Sequence, residues 1–309
     1  MDKIERMRTA LAGRPVDRPP FTVWYHFGNQ HAPAAVAAQV QLDFFAHYDL
    51  DLLKMMNDYD YPMPAGMDVM ATPADLGRLE PFDPASAPMG AQLQAVEIVA
   101  RALKGKALFV DTVFNAWNTL KRNLVREAMS RLMAEHPEAL EAALRVVNGN
   151  LIRYAQASLE RGAAGIFLSV PATVESLTMP QYERFMRPFD LELLGAIRGR
   201  GECHVVHAHG ERLYFDRLLD YPAHALSWAD VNGGPSIAEA RKRTRLTLTL
   251  MTGLDHVKFA EVSAGLVREQ VGRALAEGGR ERFILAPGCS LPTYTYPPLI
   301  RAARAAVGG

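Results

Sequence analysis

Cysteine is scarce in this chain. Cys203 and Cys289 are the only two in 309 residues, so no disulfide scaffold holds it together, and each thiol needs an explanation in packing or in chemistry. Net charge is also missing: 34 Lys and Arg offset 34 Asp and Glu. That balance leaves no field to gather polyanions or anionic lipid, so a small-molecule substrate is expected and nucleic acid is not. No apolar run reaches the roughly 18 residues that span a bilayer. Residues 1–18 mix charges of both signs where a signal peptide would carry an apolar core. The expectation is a cytoplasmic protein without a membrane partner. Also absent are a Gly-x-Gly-x-x-Gly loop after a first strand, a Walker lysine loop, internal repeats and low-complexity tracts.

What is present is an ordinary globular composition, 49% hydrophobic and 22% charged, in a chain long enough to bury about three quarters of its unfolded surface. With no composition break, residues 1–309 read as a single domain. Eight short apolar or β-branched runs predict strands at 21–26, 50–57, 107–114, 163–170, 203–209, 225–231, 246–253 and 282–289. Amphipathic stretches at 130–161, 180–198, 237–244 and 260–277 separate several of them. Glu135-His136-Pro137-Glu138 reads as a helix start, with proline in the first turn. Strands alternating with helices pair in parallel, and eight such units predict a (β/α)8 barrel, with an N-terminal extension. The Pro-, Gly- and Met-rich residues 58–89 form a long loop after the second predicted strand. An open doubly wound sheet is the competing architecture.

Reactive groups of such a barrel come from the carboxyl ends of its strands. In chain order these ends supply His26, Asn57 with Asp58, Asn115, Ser169 with Glu175, His207 with His209, Asp230, Asp255 with His256, and Cys289. His26, Asn57, Asn115 and Asp255 are candidate substrate contacts, although Asp255 also suits a turn-stabilising role. Asp58 closes an apolar strand, where a carboxylate either transfers protons, holds a cationic group or caps a turn. Side chains two apart on a strand face the same way, so His207 and His209 can reach one ion. Cys289 leaves its strand at Pro287-Gly288. Two imidazoles and a thiolate suit catalytic Zn(II), which takes three protein ligands and keeps a position open. The plainer reading is two hydrogen-bonded histidines and a cysteine acting as a small hydrophobe. Trp24, Tyr25, Trp117, Trp228 and the methionines at 55, 56, 63, 67 and 70 suit an apolar pocket or the core equally.

Residues 6–20 (RMRTALAGRPVDRPP), the strand 51–58, Gly253-Leu254-Asp255 and Leu285-Ala286-Pro287-Gly288-Cys289 together resemble the uroporphyrinogen decarboxylase superfamily across essentially the whole chain. The resemblance implies a (β/α)8 barrel with its site in a deep cleft. In the decarboxylase branch an arginine-bearing segment after the first strand grips a polycarboxylate, and Asp58 matches that branch's aspartate. Here Tyr25-His26-Phe27-Gly28-Asn29-Gln30 occupies the segment without an arginine, which argues against that substrate. The corrinoid-dependent methyltransferase branch, which includes methylcobamide:coenzyme M methyltransferases, holds zinc with a His-x-Cys pair and a distant Cys. His207 matches the first ligand and Cys289 the last, while His209 replaces the middle cysteine. Less sulfur makes the ion more electrophilic and opens oxygen substrates beside thiols.

The resemblance therefore implies a zinc-dependent methyltransferase. It would move a methyl group between a small thiol or methoxy compound and a corrinoid on a separate protein, since no Asp-x-His-x-x-Gly corrinoid signature is present. Pairing into a homodimer is implied in the same way. The alternative is a metal-free lyase of the superfamily acting on a less acidic substrate. Metal-assisted hydrolysis is a further reading, although an H-x-H pair belongs on the first strand of such barrels. A barrel that binds without catalysing is another.

Overall fold

The computed structural model describes residues 1–86 and 88–308. Seven parallel strands form one curled sheet in chain order: β1 (Leu52–Met55), β2 (Leu108–Phe114), β3 (Gly165–Val170), β4 (Val205–Ala208), β5 (Ala225–Ser227), β6 (Thr249–Leu254) and β7 (Phe283–Pro287). Nearly every residue in them is buried, as in a sheet covered on both faces. The fold is TIM-barrel-like. Its registers set Ser169 of β3, His207 of β4 and Ser227 of β5 side by side.

The strand expected at 21–26 is not a ladder strand, and this corrects the eight-strand expectation. Phe21 makes a single parallel bridge to Leu285. Leu285 N–H donates to the Pro20 carbonyl at 2.8 Å and Thr22 N–H to the Leu285 carbonyl at 3.1 Å, while Asp51 N–H donates to the Phe21 carbonyl at 2.9 Å. This short stave thus bonds to β7 on one side and to the residue leading into β1 on the other. Pro19 and Pro20 bring no N–H donors to it. Past Trp24, whose carbonyl accepts from Leu291 N–H at 3.0 Å, the chain leaves the sheet.

Prolines also divide two expected helices. The stretch 130–161 breaks at His136 into Met129–Glu135 and Pro137–Glu160, and 180–198 breaks at Met186 into Met179–Phe185 and Arg187–Ala196. A proline in the first turn of each later helix cannot continue the preceding hydrogen-bond ladder. Ile237–Thr244 forms as expected, its start closed by a reciprocal Ser236–Glu239 capping box. The last expected helix starts at Ala264, where Ser263 caps it. The N-terminal extension contains the helix Lys3–Leu11, and within 58–86 the one helix is the single turn Pro73–Leu76. Among the described residues no helix is long and apolar enough to cross a membrane.

Alternation along the strands sorts two apolar layers. Leu52, Met56, Val110, Phe167, Val205, Ala225, Met251 and Ile284 pack with Trp24 inside the curl, and a larger cluster fills the space between strands and helices. Leu52 and Met56 bracket Lys54, so the period of two places this lysine on the inner face as well.

One buried carboxylate ties the N-terminal segment to the sheet. Asp51 is fully buried and accepts from Arg6 Nη1 at 2.7 Å, Arg18 Nη1 at 2.6 Å and Phe21 N–H at 2.9 Å. Removing one member of a buried charge network leaves its partners unpaired. Asp51→Ala is expected to lower unfolding stability by about 3 kcal/mol in urea titrations. A loss below about 1 kcal/mol would show that this network does not hold the stave in place.

Candidate metal centre

His207 stands near the carboxyl end of β4, His209 one residue beyond that strand and Cys289 two residues past β7. Close approaches of the backbone set this geometry. A Cβ on Gly288 would meet the Ala229 Cα at 2.6 Å, so only glycine lets the turn bring Cys289 inward. Gly210, with φ +118°, turns the chain directly after His209.

The donor atoms of His207, His209 and Cys289 all lie within 4.8 Å of one another. Cys289 Sγ is 3.5 Å from His209 Nδ1. On a tetrahedral zinc, with Zn–N of about 2.0 Å and Zn–S of about 2.3 Å, donors stand roughly 3.3 to 3.7 Å apart, so small side-chain movements close the set. The buried His207 Nδ1 is 3.1 Å from Ser227 Oγ, whereas its Nε2 is buried without a hydrogen-bond partner among the described residues. An imidazole held through one nitrogen with the other bare is how a metal-ligating histidine is oriented. Phe167 stacks on the ring at 5.1 Å and Trp24 meets it edge-on at 6.2 Å.

The electrostatics favour ligation. Burial alone would raise the Cys289 thiol, but the facing imidazoles of His207 and His209 outweigh it and bring it down to about 4. Burial holds His207 below its ordinary value, so its ring stays neutral and keeps a lone pair. His209 is raised, first by its hydrogen bond to the Cys289 sulfur and against the effect of burial. Cys203, fully buried at the foot of β4, is pushed up to about 12 by burial and lies outside the cluster.

The three residues open onto a cavity of about 320 Å³ whose wall also includes Trp24, His26, Lys54, Arg122, Phe167 and Ser169. Of the expected substrate contacts, only His26 reaches this wall. Its Nδ1 is 2.9 Å from Asp58 Oδ1, while Asp58 Oδ2 accepts from the N–H groups of Phe27, Gly28 and Asn29 at 3.0, 3.1 and 3.4 Å. Burial would raise the Asp58 carboxyl, but His26 and these backbone donors keep it below its ordinary value. Asp58 thus shapes the loop that presents His26 and is not part of the wall. Asn57 donates to Tyr154 Oη at 3.4 Å. Asn115 caps the helix Ala116–Thr119 and donates to Asp190 at 2.9 Å. Asp255 accepts from Asn232, Val257 N–H and Lys258 N–H, a turn-stabilising arrangement.

Among the wall residues that escaped the reading of the sequence, two are basic. Lys54 is a buried lysine in the middle of β1, and burial brings its amine down to about 7 against the opposing pull of Cys289, Asp58 and Asp111. The signal was a lone lysine inside an apolar strand. Arg122 sits in a π-helical turn, Leu120–Val125. Such wide turns have no clear sequence signature and recur at functional sites.

The uroporphyrinogen decarboxylase profile matches residues 2–308. The chain belongs to the uroporphyrinogen decarboxylase family. A methyltransferase from Methanosarcina mazei shares the family member's fold with a TM-score of 0.80 at 18% identity, over 99% of this chain and 98% of that one. The putative vitamin-B12 independent methionine synthase of Listeria monocytogenes aligns with a TM-score of 0.54 at 10% identity, over 93% and 95% of the two chains. No curated protein matches the sequence. At these identities the structural likenesses speak for the fold.

For this family member the thiolate has a direct test. After chelator treatment, iodoacetamide should alkylate Cys289 at a rate nearly flat from about pH 6 to 9, and Cys203 should stay unmodified. An ordinary thiol, with a pKa of about 8.5, slows about tenfold for each unit below that value. Such a slope at Cys289, read by peptide mass, would show that the imidazoles do not hold it ionised.

Proposed function

We propose that the protein is a zinc-dependent methyltransferase, moving a methyl group between a small thiol or methoxy compound and a corrinoid carried by a separate protein. The observation that carries this reading is the meeting of His207, His209 and Cys289 at one cavity, with the unpartnered Nε2 of His207 beside them. The fold shared with the Methanosarcina mazei methyltransferase supports it. When bound, zinc supplies a Lewis-acid charge that favours the anionic form of a substrate sulfur or oxygen.

The chain's own residues do the rest. Ser227 and the Phe167 ring fix the His207 imidazole so that Nε2 needs no reorientation. The imidazoles of His207 and His209 hold the Cys289 thiol well below its ordinary value, which favours its ligation as the thiolate. His26, oriented by Asp58 through Nδ1, has Nε2 free to hold or release a proton at the cavity wall. Asp58 acts here through His26, as a positioning residue. The buried Trp24 and Phe167 exclude water from the inner end of the cavity. A cytoplasmic setting, a partner corrinoid protein and pairing into a homodimer belong to the same proposal.

Elemental analysis of protein purified without added metal tests it, with about one zinc per chain expected. His207→Ala, His209→Ala and Cys289→Ala should each lower zinc affinity by at least about tenfold. His204→Ala should leave the affinity unchanged, since His204 Nδ1 accepts from Ile166 N–H at the opposite end of β4. Less than about a tenth of an equivalent of zinc would leave the metal-free lyase as the better reading. Equal losses in all four variants would point to destabilisation instead of ligation.

A further inference from the structure

Buried lysines in folded proteins are paired or pay heavily for their charge. Lys54 is 3% exposed, and among the described residues its one hydrogen-bond partner is the Met56 thioether sulfur at 3.2 Å, a weak acceptor. Otherwise the ammonium lies over the Phe167 ring at 4.8 Å and the Trp24 ring at 5.6 Å. Contacts with ring faces recover only part of what hydration supplied. Among the described residues Lys54 forms no ion pair, yet its side chain faces the cavity.

The composition of that cavity sharpens the point. Among the described residues its wall has two basic side chains, Lys54 and Arg122, and no Asp or Glu. Arg122 lies over the Phe114 ring at 5.3 Å and makes no ion pair among the described residues. Exposed at the mouth, it would count alone as ordinary surface charge. On one cavity wall with a buried lysine that has no counter-ion, it becomes the second half of a site. The backbone there is shaped at some cost: the π-helical turn that carries Arg122 ends at Arg126, a non-glycine residue with φ +53°. Cys289, the one anionic group on the wall, belongs to the candidate zinc set.

We propose that Lys54 and Arg122 bind the carboxylate of a small acid whose other end faces His207, His209 and Cys289. The inference names the substrate class for the metal-centred reading above and rests on it for the role of that other end. Two cations suit a single carboxylate, in keeping with the absence of arginine from residues 25–30. Lys54 and Arg122 are then specificity residues. Binding would also supply the counter-charge that Lys54 lacks.

Calorimetric titration of the zinc-loaded protein tests this with 3-mercaptopropionate and its methyl ester, which share the thiol and differ in charge. The acid should bind at least about tenfold tighter than the ester. Lys54→Met, close in shape to lysine, should bring the acid down to the ester's affinity, and Arg122→Gln should narrow the gap. A purely structural lysine predicts something else. Lys54→Met would then lower the melting temperature and leave the preference intact, whereas the proposal expects the melting temperature of the ligand-free variant to stay level or rise. Equal binding of acid and ester by the unaltered protein, or a preference that survives Lys54→Met, would overturn it.

Propionate, which has no thiol, separates the two readings. If propionate binds chelator-treated protein and Lys54→Met abolishes that binding, the carboxylate site stands even when zinc is never retained. If the ester binds zinc-loaded protein as tightly as the acid, the metal reading stands and the carboxylate site falls.

Discussion

A parallel strand covered on both faces has no solvent side, so every polar side chain on it must be paired within the core or turned to use inside the curl. This constraint organises the molecule. On the outer side Asp111 satisfies it conventionally, accepting from Gln92, Tyr154 and Ser158. On the inner side it is met only in part. His207 has one nitrogen bonded and one bare, and Lys54 has a thioether and two aromatic rings in place of a counter-ion. Incomplete pairing at the inner surface is a stability cost that a folded chain retains where a ligand can complete the set.

The two unsatisfied groups share their surroundings. Phe167 stacks on His207 and lies beneath the Lys54 ammonium, and Trp24 touches both. The aromatic pair therefore packs against both the lysine and one of the metal-type donors. Trp24 belongs to the short stave that Asp51 and its two arginines tie to the sheet. A structural ion network at one end of that stave and the lining of the cavity at the other are thus joined by a few residues of extended chain.

Much of this was legible in the residues themselves, for definable reasons. Alternating apolar runs and amphipathic stretches locate the seven strands because burial on both faces demands continuous apolar sequence. The H-x-H spacing announces two imidazoles on one face because the strand period is two. The first expected strand failed because apolar character and β-branching at residues 21–26 do not reveal that the segment leaves the sheet after Trp24. Asn57, Asn115 and Asp255 failed to reach the cavity for a related reason. A polar residue at a strand end is equally suited to capping the next turn, and local backbone donors are closer than any substrate.

From its order of residues alone this protein carries its architecture, its family and a list of metal-type donors, since these depend on periodicity and local chemistry that a linear chain displays. Tertiary structure decided which donors meet. Cys289 lies 80 residues beyond His209, and only the closing of β7 against the first stave brings the sulfur within 3.5 Å of that ring. It also decided that Lys54 has no counter-ion among the described residues, because whether a charge is paired depends on what the rest of the chain places around it. That is a property of three-dimensional packing, and no spacing along the strand encodes it.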